Sequence, residues 1–278
     1  MKPAPGRSYP PMYRAVATLL RPVLTLSTRR HWAGAENLPA TGGFIAVANH
    51  VTNFDPLTFA HFLVDHDVPV KFLAKKELFG IPFFGWILTK VGHIPVHRGT
   101  ARAADSLKDA QDALERGECV AIFPEGTLTH DPAAWPMKGK TGVARLALAT
   151  RVPVVPIAQW GAHRVVPRFA SLPHTLVPQR VDVVAGPPVD LSDLYELPID
   201  ATTLRLATDR IMMRLTDQLA ELRGEAPPDR VWDRSVDGDT KAEYLAERAA
   251  ARREQTRRRL EPLNRLARRG TASTPSDR

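Results

Sequence analysis

Three short stretches of this 278-residue chain hold side chains able to do chemistry: NHVTNFD at 49–55, GHIPVHR at 92–98 and FPEGTLT at 123–129. In the first, His50 and Asp55 are five positions apart, and a chain that turns into a helix at about Asp55 folds the carboxylate back onto the imidazole. The carboxylate then fixes the ring tautomer and stabilises the imidazolium, leaving the far ring nitrogen to take a proton from a hydroxyl. No serine or cysteine nucleophile is marked by any motif, so the hydroxyl activated is the substrate's own, and direct group transfer follows. The bland alternative is a helix N-cap aspartate beside an incidental histidine.

Positioning these groups requires a scaffold. Between Phe44 and Ala185 short apolar runs alternate with helix-like segments, the pattern of an α/β protein on a largely parallel mixed sheet flanked by helices. Strands are predicted at 44–49, 70–74, 93–96, 119–123, 153–158 and 180–185. Open α/β sheets bind ligands where strands give way to loops at their carboxyl ends. His50 follows the first strand, His97 and Arg98 the third, and Glu125 the fourth, so parallel strands gather all of them on one edge. Helices are predicted at 101–116, at 141–150 and at 204–223, the last stopped by Gly224. The organisation expected is a basic amphipathic segment at 1–32, a single catalytic domain at 33–223 and a linker at 224–239. A basic helix at 240–270, begun by the capping pair Thr240 and Glu243, and a disordered tail at 271–278 complete it.

The blocks NHVTNFD, GHIPVHR, FPEGT and, at 152–157, VPVVPI resemble in order and spacing the four sequence blocks of the glycerolipid acyltransferases, in particular the 1-acylglycerol-3-phosphate acyltransferase family. The resemblance covers roughly residues 30–190. It implies an enzyme of phospholipid biosynthesis that moves a fatty acyl group from acyl-CoA or acyl carrier protein to the hydroxyl of a lysophospholipid, giving phosphatidate. Neither a metal nor a cofactor beyond the acyl donor is implied. His50 would be the base and Asp55 its partner, supported by Asn49 and by Thr52, which stands where serine is usual. Arg98, Glu125, Gly126 and Thr127 would bind the phosphate-bearing acceptor, and an arginine suits that task because its planar fork meets two phosphate oxygens. Glu125 has a second reading, as a buried ion-pairing group without substrate contact. The chain departs from the family pattern at Leu128, where arginine is common, and at His97, where aspartate is frequent. Lys138 and Lys140 either supply the compensating charge or are solvated loop lysines. The departures leave other lysolipids or a glycolipid as alternative acceptors, and a catalytically silent lipid-binding scaffold as an alternative of another kind.

A net charge of +8 suggests a nucleic-acid binder, but its distribution does not. Residues 1–30 carry six bases and no acid, residues 240–270 carry ten bases and four acids, and the stretch between is mildly acidic. No apolar run near the start reaches the roughly 20 residues that a membrane span needs. The expectation is a peripheral, monotopic protein on the cytoplasmic face of the membrane, with no nucleic-acid partner. Its basic ends meet anionic lipid, and an interfacial helix at 11–30 is bent at Pro22. HFLVDHDVP at 61–69 reads as a solvated polar turn rather than a metal site, Cys119 and His93 as packed residues, and the aromatic segment 78–91 as either core or the wall of an acyl-chain groove.

Overall fold

The computed structural model describes residues 7, 9–96, 103–175 and 177–254. Among these, seven strands form one sheet: β1 (Thr28–Ala33), β2 (Phe44–Ala48), β3 (Val70–Lys75), β4 (Ile94–Val96), β5 (Cys119–Ile122), β6 (Val154–Trp160) and β7 (Gln179–Ala185). Their order is β1-β7-β6-β2-β5-β3-β4. The β6–β7 pair is antiparallel and every other pair is parallel. The helices are α1 (Pro11–Ser27), α2 (Asp55–Asp65), α3 (Phe84–Lys90), α4 (Ala103–Glu115), α5 (Gly142–Thr150), α6 (Ala201–Arg223) and the short α7 (Arg234–Asp237). These belong to one compact unit ending at Asp237; a second unit begins at Gly238 and contains a helix at 241–254.

The strand ahead of His50 reads FIAVA without alternation because both of its faces are covered. Phe44, Ala46 and Ala48 pack with Phe59, Phe62 and Leu63 of α2 and with Tyr13 of α1. Ile45 and Val47 face the other way, into Ala110 and Leu114 of α4, Val143 and Leu146 of α5, and Leu204 and Ile211 of α6. Burial of this run fixes the register of β2 and so fixes where the next residues, Asn49 and His50, leave the sheet.

The parallel pairing brings the carboxyl ends of β2, β3, β5 and β6 to one edge. Since β1 runs with β7, and therefore against β6, its first residue Thr28 lies at that edge too. Hence α1, which feeds into Thr28, ends there, and its Leu24 packs with Phe54, Val165 and Val166.

Two segments differ from the sequence expectation. Within the stretch expected to contact the membrane, the described residues 11–33 pack into the domain: α1 buries Tyr13 and Leu24 and leads directly into β1. The signal was weak because TRRHWA is an edge strand whose charged residues stay exposed, so it lacks the apolar run that marks a central strand. The 224–239 stretch carries α7, and its backbone engages the domain through the Lys138 N–H on the Trp232 carbonyl. The predicted end of α6 is as expected, with Gly224 at φ +65° in the left-handed region, and Asp200 caps the start by accepting from the Thr203 N–H. Arg223, at the end of α6, is sandwiched between the rings of Trp135 and Trp160 at 4.0 and 4.3 Å.

The polar residues at the end of α2 are not a solvated turn either. His61 is buried, and Asp65 accepts from Arg21 of α1 at 2.9 Å and from Arg30 and Trp32 of β1 at 2.9 and 3.0 Å. Burial alone would raise the Asp65 pKa, but the Trp32 hydrogen bond and the nearby His61, Arg21 and Arg30 outweigh it, and the carboxyl titrates below its ordinary range. This one side chain ties the first helix and the first strand to the helix that carries Asp55. Asp65→Ala is expected to lower the thermal midpoint by ~2–6 °C at pH 7. A carboxyl with a depressed pKa stabilises above its unfolded value, here 3.8, and loses that contribution as pH falls through the folded value. The gap between wild type and variant therefore narrows in acid. Circular dichroism melts at pH 7 and pH 3 check both points, and equal midpoints at pH 7 would remove this tie from the account.

Candidate active site

His50 leaves the end of β2, and the turn Val51–Phe54 brings the chain round to start α2 at Asp55. The Asp55 Oδ2 atom accepts from the Val51 N–H at 2.5 Å and the Thr52 N–H at 2.7 Å, and lies 3.1 Å from His50 Nδ1. An oxygen that already accepts from two donors leaves Nδ1 as the protonated nitrogen, so Nε2 keeps its lone pair. The ring is flattened against Phe123, with centroids 4.0 Å apart and planes 19° from parallel. Asp55 is a buried group and the imidazole is about 15% exposed, so the ring is held firmly yet partly open to solvent.

Several attachments hold this turn, among them Asn53 Nδ2 donating to the Ala170 carbonyl at 2.8 Å. Glu125, after β5, is 2% exposed; it accepts from the His50 N–H at 3.1 Å through one oxygen and from the Met137 N–H at 3.0 Å through the other. Thr129 donates its N–H to the His50 carbonyl at 2.7 Å, while its own carbonyl accepts from the buried Arg168 guanidinium at 2.9 and 2.5 Å. Thr52, buried completely, donates its hydroxyl to the Val166 carbonyl.

On the other side stands Gln159 of β6. Asn49 and Gln159 exchange two hydrogen bonds between the Asn49 amide and the Gln159 backbone, both 2.9 Å, and the Gln159 Nε2 donates to the Asn49 carbonyl at 3.0 Å. That last bond sets the amide orientation, so its Oε1 must accept from the Thr58 hydroxyl, 2.8 Å away on the first turns of α2. Gln159 thus links the residue before His50 to the helix that begins with Asp55. Neither Gln159, Thr58 nor Arg168 is singled out by the sequence patterns; the one signal is a lone amide in the otherwise apolar run VVPIAQW.

The expected phosphate-binding residues separate. His97 and Arg98 lie outside the described residues. Glu125 is in place but turned inward, with both oxygens on backbone donors. Gly126 sits at φ +71°, and a Cβ there would come within 3.2 Å of Cδ and Cε of Lys140, so the lysine stem crosses the glycine. The Lys140 N–H also donates to the Pro124 carbonyl, tying its loop to FPEG. Lys138, by contrast, points to Asp233, 2.7 Å away. Thr127 is half-buried and Leu128 is buried. The Gly126 N–H is taken by the Phe123 carbonyl at 2.9 Å. His93 accepts from the Phe72 N–H, and burial lowers its pKa to about 4, so it is a neutral packed ring.

Residues 29–160, the stretch that holds His50, Asp55 and Glu125, match the family model described as Acyltransferase. Over 136 residues the chain is 35% identical to the chloroplastic 1-acyl-sn-glycerol-3-phosphate acyltransferase of Brassica napus, covering 48% of this chain and 38% of that relative. It is 29% identical over 187 residues to the 1-acyl-sn-glycerol-3-phosphate acyltransferase of Bacillus subtilis, covering 67% of this chain and 87% of that one. The match thus spans well under two thirds of the length of the plant relative and most of the bacterial one. The crystal structure of the 1-acyl-sn-glycerophosphate acyltransferase from Thermotoga maritima has the same fold, with a TM-score of 0.57 and 24% identity over 77% of this chain and 81% of that chain.

Burial pushes the Glu125 carboxyl up to about 8, although the Met137 and His50 N–H groups pull the other way. Its effect on stability has a definite sign: with an unfolded value of 4.5, its contribution is complete below that pH and is lost as pH rises through about 8. Glu125→Gln removes the titration and turns an NH2 toward one of two backbone donors. The variant is expected to be less stable at pH 6 by about 1–3 kcal/mol, since a buried N–H loses its acceptor. Between pH 5 and pH 8 the wild type should lose more stability than the variant. Urea unfolding across this range tests it, and an isosteric variant as stable as wild type would show that the two N–H bonds do not hold the loop.

Proposed function

We propose that this protein transfers a fatty acyl group from a thioester, acyl-CoA or acyl carrier protein, to the free hydroxyl of a lysophospholipid, with 1-acylglycerol-3-phosphate as acceptor and phosphatidate as product. The observation that carries this reading is the His50–Asp55 pair at the sheet edge, its Nε2 free to accept a proton. The similarity to 1-acyl-sn-glycerol-3-phosphate acyltransferases supports the choice of acceptor. As the acceptor hydroxyl attacks the thioester carbonyl, His50 Nε2 takes its proton and Asp55 stabilises the imidazolium. Collapse of the tetrahedral adduct breaks the C–S bond, and the proton passes to the departing thiolate, leaving an ester and a free thiol.

Arg98 and Lys140 bind the acceptor phosphate in this reading, Lys140 standing in for the arginine that Leu128 replaces. Glu125 acts through the His50 backbone and not on the substrate. A different lysolipid or a glycolipid is the alternative, favoured by the buried Leu128. The protein works as a peripheral enzyme on the cytoplasmic face of the membrane. Among the described residues no helix is long and apolar enough to cross a bilayer. Instead α1 exposes Leu19, Val23 and Leu26 along one stripe.

His50→Ala is expected to abolish acyl transfer in a folded protein, and Asp55→Asn to slow it by about 10²–10⁴. Thr58→Val should lower kcat with little change in either KM, and Thr58→Ser should restore most of it. Near wild-type turnover of His50→Ala on its best acceptor would overturn the mechanism. For the acceptor, Arg98→Ala and Lys140→Ala should raise the acceptor KM and leave the thioester KM alone. Arg98→Lys should recover only part, because it keeps the charge and loses the fork. Lys138→Ala should do little, since Asp233 holds that ammonium. Assays across lysophosphatidate, other lysolipids and glycolipids decide the acceptor, and equal effects on both KM values would make Arg98 and Lys140 structural.

A further inference from the structure

The large apolar side chains of the segment 78–86 are not packed in the core. Leu78, Ile81, Phe83, Phe84 and Trp86 are 36, 46, 75, 46 and 50% exposed, five large apolar side chains within nine residues. Single exposed hydrophobics need no explanation; a cluster of this kind does. Phe83, the most exposed, adopts φ +64°, a conformation that non-glycine residues seldom take, and its ring stacks on Trp86 with centroids 6.2 Å apart. The segment is nonetheless firmly wound. Gly85 donates its N–H to the Ile81 carbonyl at 2.8 Å, a Cβ on Gly85 would strike the Phe79 carbonyl at 2.0 Å, and Ile87 packs on the core. A rigid turn therefore presents aromatic side chains to the outside.

Its place in the fold gives the cluster a meaning. The segment follows the carboxyl end of β3, two strands from β2, and so lies at the same sheet edge as His50 and Asp55. The end of α1, whose exposed stripe is Leu19, Val23 and Leu26, reaches that edge as well. Charge flanks the cluster: Lys75 and Lys76 precede it and Lys90 closes α3, against the single acid Glu77. Aromatic rings bordered by lysines match the boundary between headgroups and acyl chains of an anionic bilayer.

We propose that the segment 78–86 is a second bilayer-contacting element, separate from α1, that inserts Phe83, Phe84 and Trp86 into an anionic membrane at the active-site edge. It deepens the proposed lipid chemistry by letting a lysolipid keep its chain in the bilayer while its hydroxyl meets His50. Binding is measured without turnover, so the two readings fail separately.

The experiment uses the full chain with vesicles of phosphatidylcholine, with and without phosphatidylglycerol, and with brominated acyl chains as a depth-dependent quencher. Wild-type tryptophan emission should be quenched on binding, and Trp86→Phe should remove most of that quenching. Phe83→Ser/Phe84→Ser, folded by circular dichroism, should lose on the order of ten-fold in affinity for anionic vesicles. Leu19→Ser/Val23→Ser should cost a further loss when combined with it, as for independent elements, and binding should weaken with salt. Unchanged vesicle affinity of Phe83→Ser/Phe84→Ser, or quenching that survives in Trp86→Phe, would overturn the proposal. So would gel filtration showing a wild-type dimer that the double serine variant converts to monomer, since the cluster would then be covered by a second copy. Turnover on a dispersed short-chain lysolipid should be unaffected by Phe83→Ser/Phe84→Ser; a loss there as large as on vesicles would assign these residues to the substrate site and overturn the proposal.

Discussion

One oxygen of Asp55 receives the His50 ring nitrogen and two successive backbone N–H groups, and the whole site depends on that convergence. The two backbone donors hold the carboxylate where the turn ends, and the third contact then leaves the imidazole a single orientation. A histidine free to rotate would offer either nitrogen to a substrate. Here only Nε2 is offered, and the ring cannot tilt away because Phe123 lies flat against it. The neighbouring strands and loops hold these six residues, His50 to Asp55, in one bend.

That bend is supported from both neighbouring strands, and the two supports differ in kind. From β5 comes a carboxyl group, Glu125, completely enclosed and bonded only to backbone. From β6 comes an amide, Gln159, which donates to the Asn49 carbonyl and accepts from Thr58 of α2 without carrying charge. Enclosing a carboxyl is costly unless its bonds are good. Its advantage is that one side chain accepts from two loops at once, which a neutral amide cannot do.

The central strands were legible because burial on both faces leaves continuous apolar runs, and FIAVA, CVAI and VVPIA could hardly be anything else. His50 and Glu125 were legible because each closely follows such a run, and Asp55 because of its spacing from His50. The inward direction of Glu125 was not, since a letter does not show which way a side chain turns after a strand ends. Gln159 was hidden for a related reason: its partners are 110 and 101 residues away, and only strand order makes them neighbours. The first strand was missed because edge position lets TRRHWA keep its charges. In the 61–69 stretch, Asp65 looked solvated because the arginines that bind it come from 44 and 35 residues earlier.

The crossing of Lys140 over Gly126 reaches beyond this one chain. The stem of the lysine fills the volume that any side chain at 126 would need, while the positive φ already disfavours one. The two positions are therefore not free to drift independently during evolution. A side chain at position 126 would press on Cδ and Cε of Lys140 at 3.2 Å, and the lysine stem would have to give by a few tenths of an ångström. A change at either position is thus felt at the other, because a single contact joins the turn after β5 to the loop ahead of α5.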